Sequence, residues 1–321
     1  MAEGVSQAPA GRTWRHFELQ ALADGVWAAI HRTEPPAPDA WAVGNAGIVD
    51  LGDRTVVFDA FMTPQAGAEL RIAAEALTGR RPELLVLSHA HNDHAWGSVA
   101  FPDVPLLSTA AARDELVAFG PAELESFRDA VDKRLVHWQA SAASDDPVTR
   151  ADAAFFLPYW QSIAAVVPTL ELRLPDLAIE GRLAIHGTTR RAEVVPVGRA
   201  HGAGDCVLVL PDDGIAFAGD VLFVRCHPYL GDGDIGTLRE TLGLLEQTGA
   251  TTLVPGHGPV GGPAEIGVLL RYLDDVERLA ATGPETAMPE AYAAWALRPF
   301  FSDNLEFAAA GGHQPEPAAG S

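Results

Sequence analysis

The sequence is short of cysteine, of basic residues and of long apolar runs, and each shortage removes a class of protein. Among 321 residues only Cys206 and Cys226 are cysteines. Two are too few for a disulfide framework, so nothing calls for an oxidising compartment. Lys and Arg number 22 against 43 Asp and Glu, a formal net charge of -21 at pH 7. That excess repels polyanions, so a nucleic-acid groove or an anionic membrane surface is a poor match, and small neutral or cationic partners fit better. No apolar run approaches the roughly 20 residues that cross a bilayer, because charges interrupt each one. The opening Met1-Ala2-Glu3-Gly4 lacks the basic region and apolar stretch of an export signal. The expectation is a cytoplasmic protein with a small-molecule substrate and no membrane or nucleic-acid partner, its oligomeric state left open.

What is present is a chain with 48% hydrophobic residues, long enough to bury a large core. Short apolar runs within Phe17 to Ile30 and Trp41 to Val49 predict early strands, joined by a Pro-rich surface loop over residues 33–40. The turn Gly52-Asp53 leads into a strand that ends at Asp59. Helical periodicity over residues 65–78 precedes Leu84 to Leu87, a continuous apolar run typical of a strand covered on both faces. A short strand at Leu106-Leu107 and a helix from Thr109 to Phe119 follow, and then a mostly helical insertion over about residues 120–168. Its aromatic stretch, Phe155 to Trp160, is read either as packing against the body or as a cap facing substrate. Further strands are predicted at Thr169 to Leu174, Leu183 to His186, Glu193 to Val197, Cys206 to Leu210, Ile215 to Phe217 and Thr251 to Val254. Helices are predicted at Ile235 to Gln247, Ala264 to Thr282 and Glu290 to Leu297. The alternation predicts two sheet-and-helix halves around one core, a single domain over 13–300, with residues 1–12 and 311–321 as flexible termini.

The strongest chemical signal is Ser88-His89-Ala90-His91-Asn92-Asp93-His94, directly after the apolar strand. Three imidazoles and a carboxylate within six residues suit zinc and other transition ions, whereas a calcium site would use oxygen throughout. His201, Asp220 and His257 each follow a predicted strand as well. Carboxyl-side strand ends gather loops, so residues distant in the chain can converge there on one site.

These motifs resemble those of the metallo-β-lactamase superfamily. The pattern His-any-His-any-Asp-His reads as His89 to His94, a later histidine stands in Gly198-Arg199-Ala200-His201-Gly202, a bridging acid in Gly219-Asp220-Val221, and a final histidine in Pro255-Gly256-His257-Gly258. The resemblance spans about residues 40–260. It implies an α/β fold (α+β in some schemes), a four-layer αββα sandwich with the helical insertion added and the metals at one edge between the sheets. It implies that His89, His91 and His201 hold one ion and Asp93, His94 and His257 a second, with Asp220 bridging and Asp59 organising the ligand loop from behind. Two zinc ions are the expected cofactors, with iron or manganese as the alternatives. The implied reaction is attack of a metal-bridging hydroxide on the carbonyl of a small ester, lactone, thioester or amide, Asp220 holding the ion pair and a metal-bound water or Asp93 assisting proton transfer. β-Lactam hydrolysis and iron-dependent oxidoreductase or dioxygenase chemistry are the alternatives the superfamily offers. Trp96, Tyr159, Trp160, His227 and Tyr229 are the candidate substrate contacts, and Cys206 is read as a buried strand residue.

Overall fold

The computed structural model describes residues 13–32, 37, 40–283 and 286–313. The expected flexible segment 1–12, most of the Pro-rich loop and residues 314–321 lie outside the described residues. Seven strands form the first sheet in sequence order: β1 (Phe17–Ala23), β2 (Val26–His31), β3 (Asn45–Asp50), β4 (Thr55–Phe58), β5 (Leu84–Val86), β6 (Leu106–Thr109) and β7 (Leu177–Ile179). Five form the second: β8 (Leu183–His186), β9 (Arg191–Gly198), β10 (Asp205–Leu210), β11 (Ile215–Phe223) and β12 (Thr252–His257). The first four strands run antiparallel and β4 to β7 parallel, while β8 to β11 meander and β12 joins β11 in parallel.

Strand side chains alternate between faces, and here both faces are apolar. Val56, Phe58 and Val86 meet Cys206, Leu208, Leu210 and Phe217 in a core between the sheets. Their neighbours Val57, Leu85 and Leu87 face outward onto Ala66, Leu70 and Ala73 of α1 (Pro64–Thr78). Val207 and Val209 likewise face away from the first sheet, onto α6 (Ile235–Gln247) and α7 (Pro263–Ala280). Three apolar interfaces thus separate four layers, helix, sheet, sheet, helix, as the αββα expectation required. Cys206 sits fully buried between the sheets, as read from the sequence.

Local sequence explains the helix limits. Thr63 Oγ1 accepts the Ala66 amide at 3.1 Å, Pro64 opens α1, and Gly79 closes it at φ 71°. The insertion is an antiparallel pair, α4 (Gly120–Ala142) and α5 (Pro147–Val166), after α3 (Ala110–Ala118). It owns a core: Trp41, Met62, Trp96, Leu124, Trp160 and Ile163 pack together.

Two expectations about elements need correction. Residues 169–174 form no strand, because the turn before them is held by Arg128, which donates to the carbonyls of Val167 at 2.8 Å and Leu170 at 2.9 Å. The ladder resumes only at Leu177, after Asp176 has clasped the Leu106 amide at 2.9 Å. The segment Glu290 to Leu297 has a 3-10 turn at Glu290–Tyr292 alone, and the helix lies further on as α8 (Phe300–Ala309), started after Pro299. Phe301 and Leu305 of α8 join the outer core with α7, so packing continues past residue 300. It reaches Gly312, whose carbonyl accepts the Ile235 amide at 2.9 Å.

Candidate metal centre

The carboxyl ends of β4, β5, β9 and β12 and the interior of β11 open at one edge of the sandwich. Asp59 follows β4 in the left-handed region, at φ 61°, which turns its side chain under the loop that follows β5. Asp59 Oδ1 accepts the Ser88 amide at 2.7 Å, and its Oδ2 lies 2.9 Å from His94 Nδ1. Asn92 to Ala95 then form a one-turn helix, α2. His91 thus stands at the helix start, with Asp93 and His94 inside the turn. A glycine is required at 256, because a Cβ there would overlap the Asp220 carboxylate.

The donor atoms fall into two groups, each within 4.8 Å of one another: His89, His91, His201 and Asp220, and then Asp93, His94 and His257. Asp220 touches both. Its Oδ2 is 3.1 Å from His201 Nε2 and 3.4 Å from His257 Nε2, and its Oδ1 is 3.1 Å from His94 Nε2. All seven expected ligands are therefore brought together. Partners behind the rings select the nitrogens that face inward. Ser88 Oγ lies 2.8 Å from His89 Nδ1, leaving Nε2 forward, and Asp59 does the same for His94. His91 is reversed: its Nε2 meets Asp232 Oδ2 at 3.1 Å, so Nδ1 points to His201 Nε2 at 2.9 Å.

Whether metal suits these residues can be judged from atoms that protein leaves unsatisfied. His89 Nε2 is buried with no hydrogen bond, and His94 Nε2 and Asp220 Oδ1, buried and 3.1 Å apart, meet outside hydrogen-bond geometry and find no other partner. Buried polar atoms are rarely left so, and these three aim at the two donor groups. Imidazole nitrogen with carboxylate oxygen is a donor set for zinc, iron or manganese. Electrostatics agree. Burial alone would raise Asp93, yet the imidazoles of His94 and His257 outweigh it and hold its carboxyl at about 2. Burial also works to raise Asp220, and His257, His94 and His201 overcome it to hold the carboxylate well below its ordinary range. Burial pushes His89 well down, leaving a neutral ring with a lone pair.

Above the donors opens a cleft of about 450 Å³ whose walls come from the insertion, the loop after β11 and the start of α8. Tyr159, Trp160 and Tyr229, three of the five candidate substrate contacts, line it. Trp96 does not. It is 2% exposed and meets Phe127 edge-on at 5.2 Å, because the 3-10 turn after α2 points it into the insertion's core. Nor does His227, which is fully buried, 3.0 Å from Tyr272 Oη and 3.2 Å from the Tyr292 carbonyl oxygen. The aromatic stretch of α5 does both things weighed for it: Trp160 packs on Phe127 at 5.6 Å and also faces the cleft. Sequence reading missed Asp232, whose signal was an acidic residue between glycines in Gly231-Asp232-Gly233, and the cleft face of α4. Cys226 is buried beside Phe223 and Leu297 and is not among the residues that line the cleft.

The sequence profile described as the metallo-beta-lactamase superfamily matches residues 39–257. The chain belongs to that superfamily, and its two groups of candidate metal ligands class it as a metallo-hydrolase of that fold. A metallo-beta-lactamase from Pontibacter korlensis superposes with a TM-score of 0.56 at 17% identity, covering 81% of this chain and 100% of the other. The metallo-beta-lactamase FIM-1 from Pseudomonas aeruginosa, in its mono-zinc form, gives 0.56 at 15%, covering 81% and 96%. One from Erythrobacter litoralis gives 0.56 at 17%, covering 82% and 99%. These likenesses extend the fold assignment alone. No curated protein matches the chain. Among the described residues no helix is long and apolar enough to cross a membrane.

Proposed function

We propose that the protein hydrolyses a small ester, lactone, thioester or amide at a dinuclear metal centre, with two zinc ions as its cofactors and the cytoplasm, where Cys206 and Cys226 stay free, as its compartment. The observation that carries this reading is the sharing of Asp220 between two histidine-rich donor groups at the floor of an apolar cleft. His89, His91 and His201 would hold one ion, Asp93, His94 and His257 the other, and Asp220 both. Bound ions would supply Lewis acidity and a nucleophile at neutral pH by lowering the pKa of water.

The chain's own side chains supply the rest. Asp93 borders the cleft with Oδ2 3.1 Å from His257 Nε2, a place from which its carboxylate can accept a proton and pass it to the leaving group. Tyr159 Oη accepts from Asn92 Nδ2 at 3.2 Å, which leaves its own proton for a substrate oxygen. Phe155, Phe156 and Trp160 exclude water and orient an apolar group beside the scissile carbonyl. Metal analysis after purification without added metal, and a panel of lactones, thioesters and β-lactams, test the reading. Hydrolysis is expected in the metal-loaded protein and its loss in His91→Ala and Asp220→Ala with folding retained. Full activity in both folded variants would sink it.

A further inference from the structure

The cleft has two ends of different chemistry, and α4 measures the distance between them. Glu123, Phe127, Arg134 and Trp138 all line it, spaced by four, seven and four residues, so they form one stripe along the helix. Glu123 is at the inner end, where its carboxyl feels His91, Asp232 and Asp93. Arg134 stands eleven residues on, about 16 Å further along the axis at 1.5 Å per residue.

Arg134 is the single Lys or Arg lining the cleft among the described residues. Its guanidinium carbon lies over the Trp160 ring, 5.6 Å from the centroid. It makes no ion pair or hydrogen bond among the described residues, although acidic residues outnumber basic ones 43 to 22. Neighbouring Arg128 shows the usual fate, engaged by Glu125 and by two backbone carbonyls. Stacking on the indole fixes the plane of a guanidinium while leaving its N–H donors open, the state suited to a planar, bidentate anion. Five carboxylates line the cleft as well, Asp93 and Asp220 in the donor groups, Asp232 3.1 Å from His91, Glu123 at the inner end and Asp303 on α8, and among the described residues none of them pairs with Arg134.

We infer that Arg134 reads an anionic group at the outer end of the cleft. The substrate class is then an elongated one, with a scissile carbonyl at the metal floor, an apolar arm along the rings of α5, and a carboxylate at the far end of that arm. The inference rests on the hydrolase reading only for the use of the cleft as a substrate site.

Binding without turnover tests it. The metal-loaded full-length protein is titrated, by tryptophan fluorescence, with straight-chain dicarboxylates from hexanedioate to tetradecanedioate and with the monocarboxylates of equal length. The ratio of the two Kd values within each protein is the readout, so changes common to both ligands cancel. In the unsubstituted protein the preference for the dicarboxylate is expected to rise with length and reach about fivefold once the chain spans the cleft. Arg134→Gln flattens the ratio at every length, and Arg134→Lys keeps part of it. The same rise in Arg134→Gln, or no rise in the unsubstituted protein, overturns the inference. An Arg134-dependent preference in a metal-loaded protein that hydrolyses no ester, lactone, thioester or amide would overturn the hydrolase reading and leave this one standing. Hydrolysis lost in His91→Ala together with a flat ratio would do the reverse.

Discussion

At the floor of the cleft His89, His91 and His94 are each held from behind by a polar partner, Ser88, Asp232 and Asp59 respectively. The wall above is held by ring contacts: Phe156 stacks on Trp138 at 4.7 Å and meets Phe300 edge-on at 6.1 Å, joining α5 to α4 and α8. Hydrogen bonds fix a nitrogen's direction as well as its place, whereas ring packing is non-directional and tolerates changes of shape. On the proposed function, the difference gives chemistry to the floor and substrate size to the wall. Substitutions should therefore separate by region, floor changes altering metal occupancy and wall changes altering stability or KM.

Trp96 tests the division most severely, because it follows His94 by two residues yet its ring belongs to the wall's core. Trp96→Ala is expected to cost about 3–5 kcal/mol of stability, measured by urea unfolding, while metal content per folded chain stays at its original value. Metal loss from the folded variant would erase the boundary between floor and wall. Next in size is Asp59→Asn. An amide cannot accept from both the Ser88 amide and His94 Nδ1 as the carboxylate does, so one contact is lost. Metal affinity should fall about 10- to 100-fold by equilibrium dialysis, with the fold intact.

The floor was legible in the sequence because its candidate ligands follow apolar runs that fix where the strands stop, and four of the seven stand within six residues. Asp59 was legible for the same reason. Asp232 was not, since its loop lies twelve residues beyond Asp220 and carries no periodicity. The wall was half legible. The α5 aromatics stood out by composition, but Trp96 and His227 were misplaced because aromatic type does not tell which way a short turn faces. Arg134 and Trp138 escaped notice because α4 has polar residues around most of its circumference, so no apolar stripe marked its cleft face. Helix α8 was missed because its core contacts depend on α7, brought alongside only by the fold.

Phe156→Ala is the corresponding wall substitution. Removing the ring breaks the stack with Trp138 and the edge contact with Phe300, so an apolar substrate arm loses part of its bed. KM for esters with long or aromatic groups should rise about tenfold, with a smaller effect for acetyl esters and little on kcat. Equal losses for both ester classes, or a fall in bound metal, would mean that the wall supports the floor after all.

The smallest effect concerns protons, and it again belongs to the floor alone. In the metal-free protein burial by itself would lower His91 and His257. Asp232 beside the first and Asp220 beside the second outweigh burial and raise both to about 9. The unfolded reference is about 6.5. A histidine raised on folding contributes stability that is fully present below its unfolded pKa and is lost as pH climbs through the folded one. The metal-free protein should therefore lose Tm between pH 6.5 and 9. With ions bound the ligand nitrogens carry no proton to release, so this contribution to the slope should vanish. Calorimetry at the two pH values, with and without metal, reads the difference. Phe156→Ala should leave it unchanged and Asp232→Asn should shrink it, because that carboxylate sustains the His91 proton. A metal-free Tm that rises over this range, or a fall of equal size in the loaded protein, would show that the floor's carboxylates do not control those histidines.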